Sequence, residues 1–160
     1  MSENPLAERA RELAARERVG TLCTLSKRHQ GYPFGSVVQY ALDDHGNPIL
    51  LISAMAQHTQ NALTNPHASL LVAESIPSGE SVVAGRLTLL GDVEPVRHAK
   101  EVQALFLARH PDAEQWVNFG DFAFYRLVVN SAYYVGGFGV MGWVPVEDYS
   151  SVLPPLIDSL

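Results

Sequence analysis

The sequence predicts a mainly β, α+β fold in which an antiparallel barrel carries a few peripheral helices. Six or seven segments have strand character, their connections are mostly short, and no regular strand-helix-strand alternation runs along the chain. At 160 residues with 47% apolar side chains, the chain has the size of a single domain (1–160) with enough apolar material for one continuous core.

Asn4 followed by Pro5 predicts a helix start, because Asn can accept from orphan backbone N–H groups and Pro has none to leave unsatisfied. Leu6, Ala10, Leu13 and Ala14 then recur at helical spacing to about Glu17. Val19 to Leu25 and Ser36 to Leu42 have strand composition, and the segment between them, with Gly31, Pro33 and Gly35, predicts a loop. The Asp43-Asp44-His45-Gly46-Asn47 turn predicts a hairpin joining the Val37 strand to Pro48–Ser53. Gln57 to Asn65 predicts a short helix that stops before Pro66, and Ser69 to Glu74 a strand.

After a turn at Pro77-Ser78-Gly79, Val82 to Val96 alternates, with Arg86, Thr88, Leu90, Asp92 and Glu94 on one parity and Leu87, Leu89, Gly91 and Val93 on the other. Ala99 to Arg109 carries Val102, Leu105 and Phe106 at helical spacing. Phe122 to Asn130 and Ala132 to Phe138 predict a second hairpin. With Pro145, Pro154 and Pro155, residues 144–160 predict an extended arm.

Composition narrows the function classes. Eleven basic against seventeen acidic residues, net −6, lack the cationic field that draws a protein onto nucleic acid. The arginines at 9, 11, 16 and 18 alternate with Glu8, Glu12 and Glu17, which on a helix reads as ion pairs and not as a membrane surface. No uncharged apolar run approaches the roughly 20 residues of a bilayer span, and the N-terminal stretch is charged, so neither a membrane span nor a secretory signal is expected. Cys23 is the only cysteine, which excludes an intrachain disulfide and makes a cytoplasmic setting the expectation.

Gly137-Phe138-Gly139-Val140-Met141-Gly142 matches a dinucleotide fingerprint in letters, but Trp143 and Pro145 follow where a helix must open, so the glycines predict a bulge or close backbone approach instead. The six histidines show no metal-site spacing, and no metal is expected. There is no nucleophile elbow, and Cys23 within a strand reads as a buried small hydrophobe. Ser53, His58, Thr59 and Asn61 can supply hydrogen bonds to a phosphate at a short helix start. Alternatively, Thr59 caps that helix and His58 lies on the surface.

The segments Gly31-Tyr32-Pro33-Phe34-Gly35-Ser36-Val37, His58-Thr59 with Asn61, Asn65-Pro66, Arg86-Leu87-Thr88-Leu89-Leu90-Gly91 and Gly136-Gly137-Phe138-Gly139 before Trp143 occur in an informative order. The chain resembles the pyridoxamine 5′-phosphate oxidase-like split barrels that bind flavin mononucleotide (FMN), in the HugZ-like and CREG-like branch. The resemblance implies a six-stranded split barrel and a homodimer with flavin sites at its interface. It places Ser36 and Val37 against the isoalloxazine ring, Ser53, His58, Thr59 and Asn61 around the phosphate, and Arg86 as a positive charge near the flavin. Gly137, Phe138 and Trp143 are further ring contacts. The function so implied is an FMN-dependent oxidoreductase acting on a small molecule, with no catalytic residue identified.

Two alternatives accompany that expectation: a haem-binding or haem-degrading HugZ-like protein, and a non-enzymatic split-barrel binding module. The only lysines, Lys27 and Lys100, are too few for the cationic phosphate cradles of pyridoxamine phosphate oxidases proper, which argues against vitamin oxidation.

Overall fold

The computed structural model describes residues 3–76, 84–137 and 139–154. Along the chain run α1 (Pro5–Arg16), β1 (Val19–Leu25), β2 (Pro33–Gln39), β3 (Ala41–Leu42), β4 (Pro48–Ser53), α2 (Gln57–Thr64), β5 (His67–Ala73), β6 (Arg86–Pro95), α3 (Ala99–Arg109), a short 3-10 helix (Pro111–Gln115), β7 (Phe122–Val135), β8 (Met141–Pro145) and α4 (Val146–Ser151). The strands form one antiparallel sheet in the order β2-β1-β5-β6-β7-β4-β3, with β8 added alongside β7. The sheet curls into a split barrel with helices on its periphery, as the sequence predicts.

The curl is filled by side chains of one strand parity. Leu22, Leu50, Leu70, Leu87, Leu89 and Leu127 are fully buried there, and α1 covers them with Ala7, Ala10, Leu13 and Ala14. Small residues on α1 let its axis approach the sheet, and Tyr40 ties the two together by donating from its hydroxyl to the Ala14 carbonyl at 2.6 Å. Asn4 Oδ1 accepts from Leu6 N–H at the helix start. At the other end Arg109, from α3, donates to the carbonyls of Ala15 and Arg16 at 2.7 Å each, closing acceptors the helix leaves open. Strand β4 is buried on both faces. Leu50 and Ile52 join the barrel core, whereas Ile49 and Leu51 pack with Val102, Phe106 and Phe124 in a second cluster beneath α3.

Three expectations are corrected. Strand β2 pairs with β1, and only the two-residue β3 forms the hairpin with β4, because the chain breaks at Tyr40, whose ring turns into the core. The segments read as a second hairpin are one 14-residue strand, β7. Its partner register passes from Leu90↔Ser131 to Gly91↔Val129, so Asn130 is the extra residue of a β-bulge and not a turn. A Cβ on Gly91 would stand 2.1 Å from the Val128 carbonyl oxygen, so only glycine fits at this crossing.

The expected extended arm begins instead with β8 and α4. Tyr149 of α4 is fully buried and donates to Gly46 O at 2.8 Å. Buried Arg11 lies over its ring, with the guanidinium carbon 5.3 Å from the ring centroid, and donates to Tyr149 O and Asp44 O. Burial lowers the Arg11 pKa and raises that of the Tyr149 hydroxyl. Gly46 allows this packing, with φ +81° and no room for a Cβ beside the Arg11 side chain. Among the described residues, no helix is long and apolar enough to cross a membrane. The Pro77-Ser78-Gly79 turn, the start of the Val82 segment and residues 155–160 of the predicted arm lie outside the described residues.

Candidate functional site

The candidate residues fall into two separate groups. The first gathers where β4 runs into α2. Ser53 Oγ donates to Asp121 Oδ2 at 2.7 Å and accepts from Met55 N–H, so both its roles are taken within the chain. Asn61 is fully buried: its Oδ1 accepts from Lys27 N–H and from the Gln57 side chain, and its Nδ2 donates to Thr24 Oγ1 at 3.0 Å. These bonds fasten α2 to the end of β1. Thr59 is buried and does not cap the helix, since Ala56 is the N-cap and no side chain caps it. The Thr59 hydroxyl and His58 Nε2 are buried without a hydrogen-bond partner among the described residues, and burial lowers the His58 pKa.

The second group lies on the outer face of the sheet. Successive residues of a strand point to opposite faces, so Ser36 and Val37 cannot present their side chains to one ring. Ser36 opposes Leu22 on the core parity, and Val37 opposes Thr21 on the outer one. The registers place Val37, Thr21, Leu71, Thr88, Tyr133 and Trp143 in a lateral row across six strands. Val37 is 76% exposed and Trp143 62%, and Leu71 between them is also open to solvent. Tyr133 and Trp143 pack ring against ring with centroids 5.0 Å apart.

Five strand spacings of about 4.8 Å separate the ends of that row by about 24 Å along the sheet. Val37 and Trp143 therefore share a face but do not meet in one ring-sized site within a chain. Arg86 is on the same face, one row over, opposite Ala73 and Val135, and forms no ion pair among the described residues. Asp92 instead pairs with His67, and Arg126 Nε with Asp43 at 3.0 Å. Gly137 sits in the β7–β8 turn, with φ +118°, where Gly136 N–H donates to Val140 O. Phe138 lies outside the described residues.

A recess of about 480 Å³ opens on the outer face at the start of β1, floored by Val19, Thr21, Val37 and Leu71, with Arg16 and Arg18 at its rim. Near the other end of β1, Cys23, Leu25, Pro33, Ser69 and Leu90 line a shallower one of about 250 Å³. Cys23 is half-buried on this outer parity, which corrects its reading as a core residue. Sequence reasoning missed Thr21, Leu71 and Tyr133. The strand alternation carried the signal for Leu71 and Tyr133: apolar residues that adjoin others across neighbouring strands on the parity opposite the core form the kind of patch a partner or ligand covers.

Comparison with known proteins points in one direction. The chain is 42% identical over 120 residues to the chloroplastic non-canonical heme oxygenase HOZ of Arabidopsis thaliana, an alignment covering 74% of this chain and 36% of that protein. A heme binding protein from Mycobacterium smegmatis superposes with a TM-score of 0.85 at 32% identity, over 94% of this chain and 62% of that one. The chain thus spans less than two thirds of the length of either relative. HutZ, the heme storage protein from Vibrio cholerae, shares the fold, with a TM-score of 0.63 at 19% identity over 88% of this chain and 94% of HutZ.

These findings overturn the expectation of an FMN cofactor, and with it the flavoprotein and FMN-dependent oxidoreductase readings, since HOZ and the mycobacterial protein, both above 30% identity, are named for haem. The geometry has a matching reason: Ser53 and Asn61, two of the four groups expected around a flavin phosphate, spend their hydrogen bonds inside the chain. The CREG, beta-barrel family matches residues 2–151, and the chain belongs to that family.

Proposed function

We propose that this chain binds haem on the outer face of its split barrel, at a site completed by a second copy of the chain. The carrying observation is the row from Val37 to Trp143, in which Val37, Leu71 and Trp143 are exposed apolar residues of a kind that a partner or ligand covers. A planar, mostly apolar macrocycle suits such a surface. The identity to HOZ and to the mycobacterial heme binding protein supports haem as that ligand.

Neither recess of one chain encloses a tetrapyrrole, and pairing of two outer faces would supply the second wall. A homodimer with its ligand at the interface is therefore part of the reading. Bound haem would supply redox-active iron. The chain's own contribution is to exclude water with Val37, Leu71 and Trp143, to stack with Tyr133 and Trp143, and to place Arg86 as a positive charge on the same face. A cytoplasmic setting belongs to the proposal as well and rests on the single cysteine.

The test is titration of purified protein with ferric haem, followed by absorbance, with light scattering run in parallel. The reading expects a shifted Soret band saturating near one equivalent per chain, and the mass of a dimer. A folded protein that leaves the haem spectrum unchanged would overturn it.

A further inference from the structure

We propose that the cavity between α1, β3 and α3 is a second binding site, distinct from the outer face, for a small ligand with an apolar body and one anionic group, the chemistry of a medium-chain carboxylate. The cavity holds about 460 Å³, within the roughly 300–1,000 Å³ of small-molecule sites. Its apolar lining comes from Ala14 and Ala15 of α1, Leu42 of β3, Leu105 and Ala108 of α3, and Pro154. With the outer-face recess at the start of β1 it shares only Glu17 and Arg18.

Charge is divided between the two ends of this cavity. Where α1 ends, Arg18 and Arg109 stand together, and neither forms an ion pair among the described residues. Arg109 spends Nη2 on the carbonyls of Ala15, Arg16 and Glu17, which leaves Nη1 and Nε for another acceptor. Burial and the neighbouring Arg18 both lower the Arg109 pKa, so two like charges are held close there. The Glu17 carboxylate is engaged elsewhere, accepting from the Ser75 N–H and hydroxyl. An anion seated between the two guanidiniums relieves their repulsion and accepts hydrogen bonds from both.

The opposite end lies about two turns back along α1, roughly 10 Å away, where Arg11 donates to Asp44 O. Asp43 and Asp44 stand at that end, and the Asp43 carboxylate is already paired with Arg126. A ligand with a single negative group is therefore oriented, its head at Arg18 and Arg109 and its apolar body along the alanines and leucines between the helices.

Octanoate is titrated into wild type, Arg18→Gln and Ala108→Trp, with 1-octanol as the uncharged comparison, amide chemical shifts as the readout and circular dichroism as the check on folding. Wild type is expected to bind octanoate saturably, with a dissociation constant at or below about 1 mM, as a ligand of this size can reach, and with the largest shifts at Ala14, Leu105 and Ala108. Arg18→Gln, and octanol in place of octanoate, each weaken binding about five- to tenfold, since each removes one side of a charge-assisted contact. Ala108 is exposed on α3, so the indole that Ala108→Trp introduces fills the cavity without entering the core. That variant is expected to lose octanoate and to bind ferric haem as wild type does. Absence of a saturable shift in folded wild type overturns the proposal, as does octanoate bound equally by all three proteins or no better than octanol. Loss of haem binding in folded Ala108→Trp would make this cavity the haem site and overturn its assignment as a second one.

Discussion

The start of α2 and the outer face of the sheet are built on opposite principles. At α2, Asn61 and Ser53 satisfy backbone and side-chain partners from β1, β4 and Asp121, so polar groups that could have met a ligand are consumed in joining elements. On the outer face, Val37, Leu71 and Trp143 are stabilised by little within the chain and remain uncovered. Hydrogen-bonding capacity already spent marks structure, and contiguous apolar area left in water marks a candidate binding surface. A cluster of polar residues in sequence is ambiguous until its partners are known, whereas an apolar residue on the wet parity is informative at once.

The largest effect should come from placing charge on the outer face. If the proposed dimer uses this face, Val37→Asp with Leu71→Asp is expected to leave a monomer at micromolar concentration, with the chain still folded and a stability loss of about 1–2 kcal/mol from replacing two β-favouring residues by Asp. A dimer that survives both charges would detach the interface from this face. Next in size, Asn61→Ala leaves Lys27 N–H and Thr24 Oγ1 without their partner and should cost about 1–3 kcal/mol in denaturant unfolding. A cost near zero would mean that Asn61 is not the fastener described here. Trp143→Ala should weaken self-association about tenfold while leaving the thermal midpoint of the separated chain unchanged. Loss of both together would place Trp143 in the fold instead.

The smallest effect concerns His58. Its pKa is lowered by burial from the ordinary 6.5. The unfolded chain therefore takes up the proton first as pH falls, and stability present above that value is lost on acidification. His58→Gln should lose less stability than wild type between about pH 7 and 5. Parallel pH profiles for the two proteins would remove the effect.

Much of the fold is legible in the sequence where the core parity repeats cleanly, as it does in β6. Leu87, Leu89 and Val93 alternate with Arg86, Thr88 and Asp92, and the buried and wet faces of β6 follow them. What was not legible depended on partners far along the chain. Asn130-Ser131 reads as a turn, yet the same residues form a bulge once Gly91 of β6 allows the strands to cross. The arm after Pro145 looks extended by its prolines, and Arg11 and Gly46 are what seat Tyr149 in a helix there. For the site, the letters locate Ser53, His58, Thr59 and Asn61 together, and the structure brings them together. Lys27, Thr24 and Asp121, all distant in sequence, have taken the bonds of Asn61 and Ser53, whereas His58 Nε2 and the Thr59 hydroxyl have no partner among the described residues.

The contrast between the two regions is tested most directly by one haem titration of three proteins: wild type, Val37→Asp with Leu71→Asp, and Asn61→Ala at a temperature where it is folded. The account predicts a saturable Soret shift for wild type and Asn61→Ala and none for the outer-face double variant. Retained haem binding by the double variant, with loss in Asn61→Ala, would contradict it and move the ligand to α2.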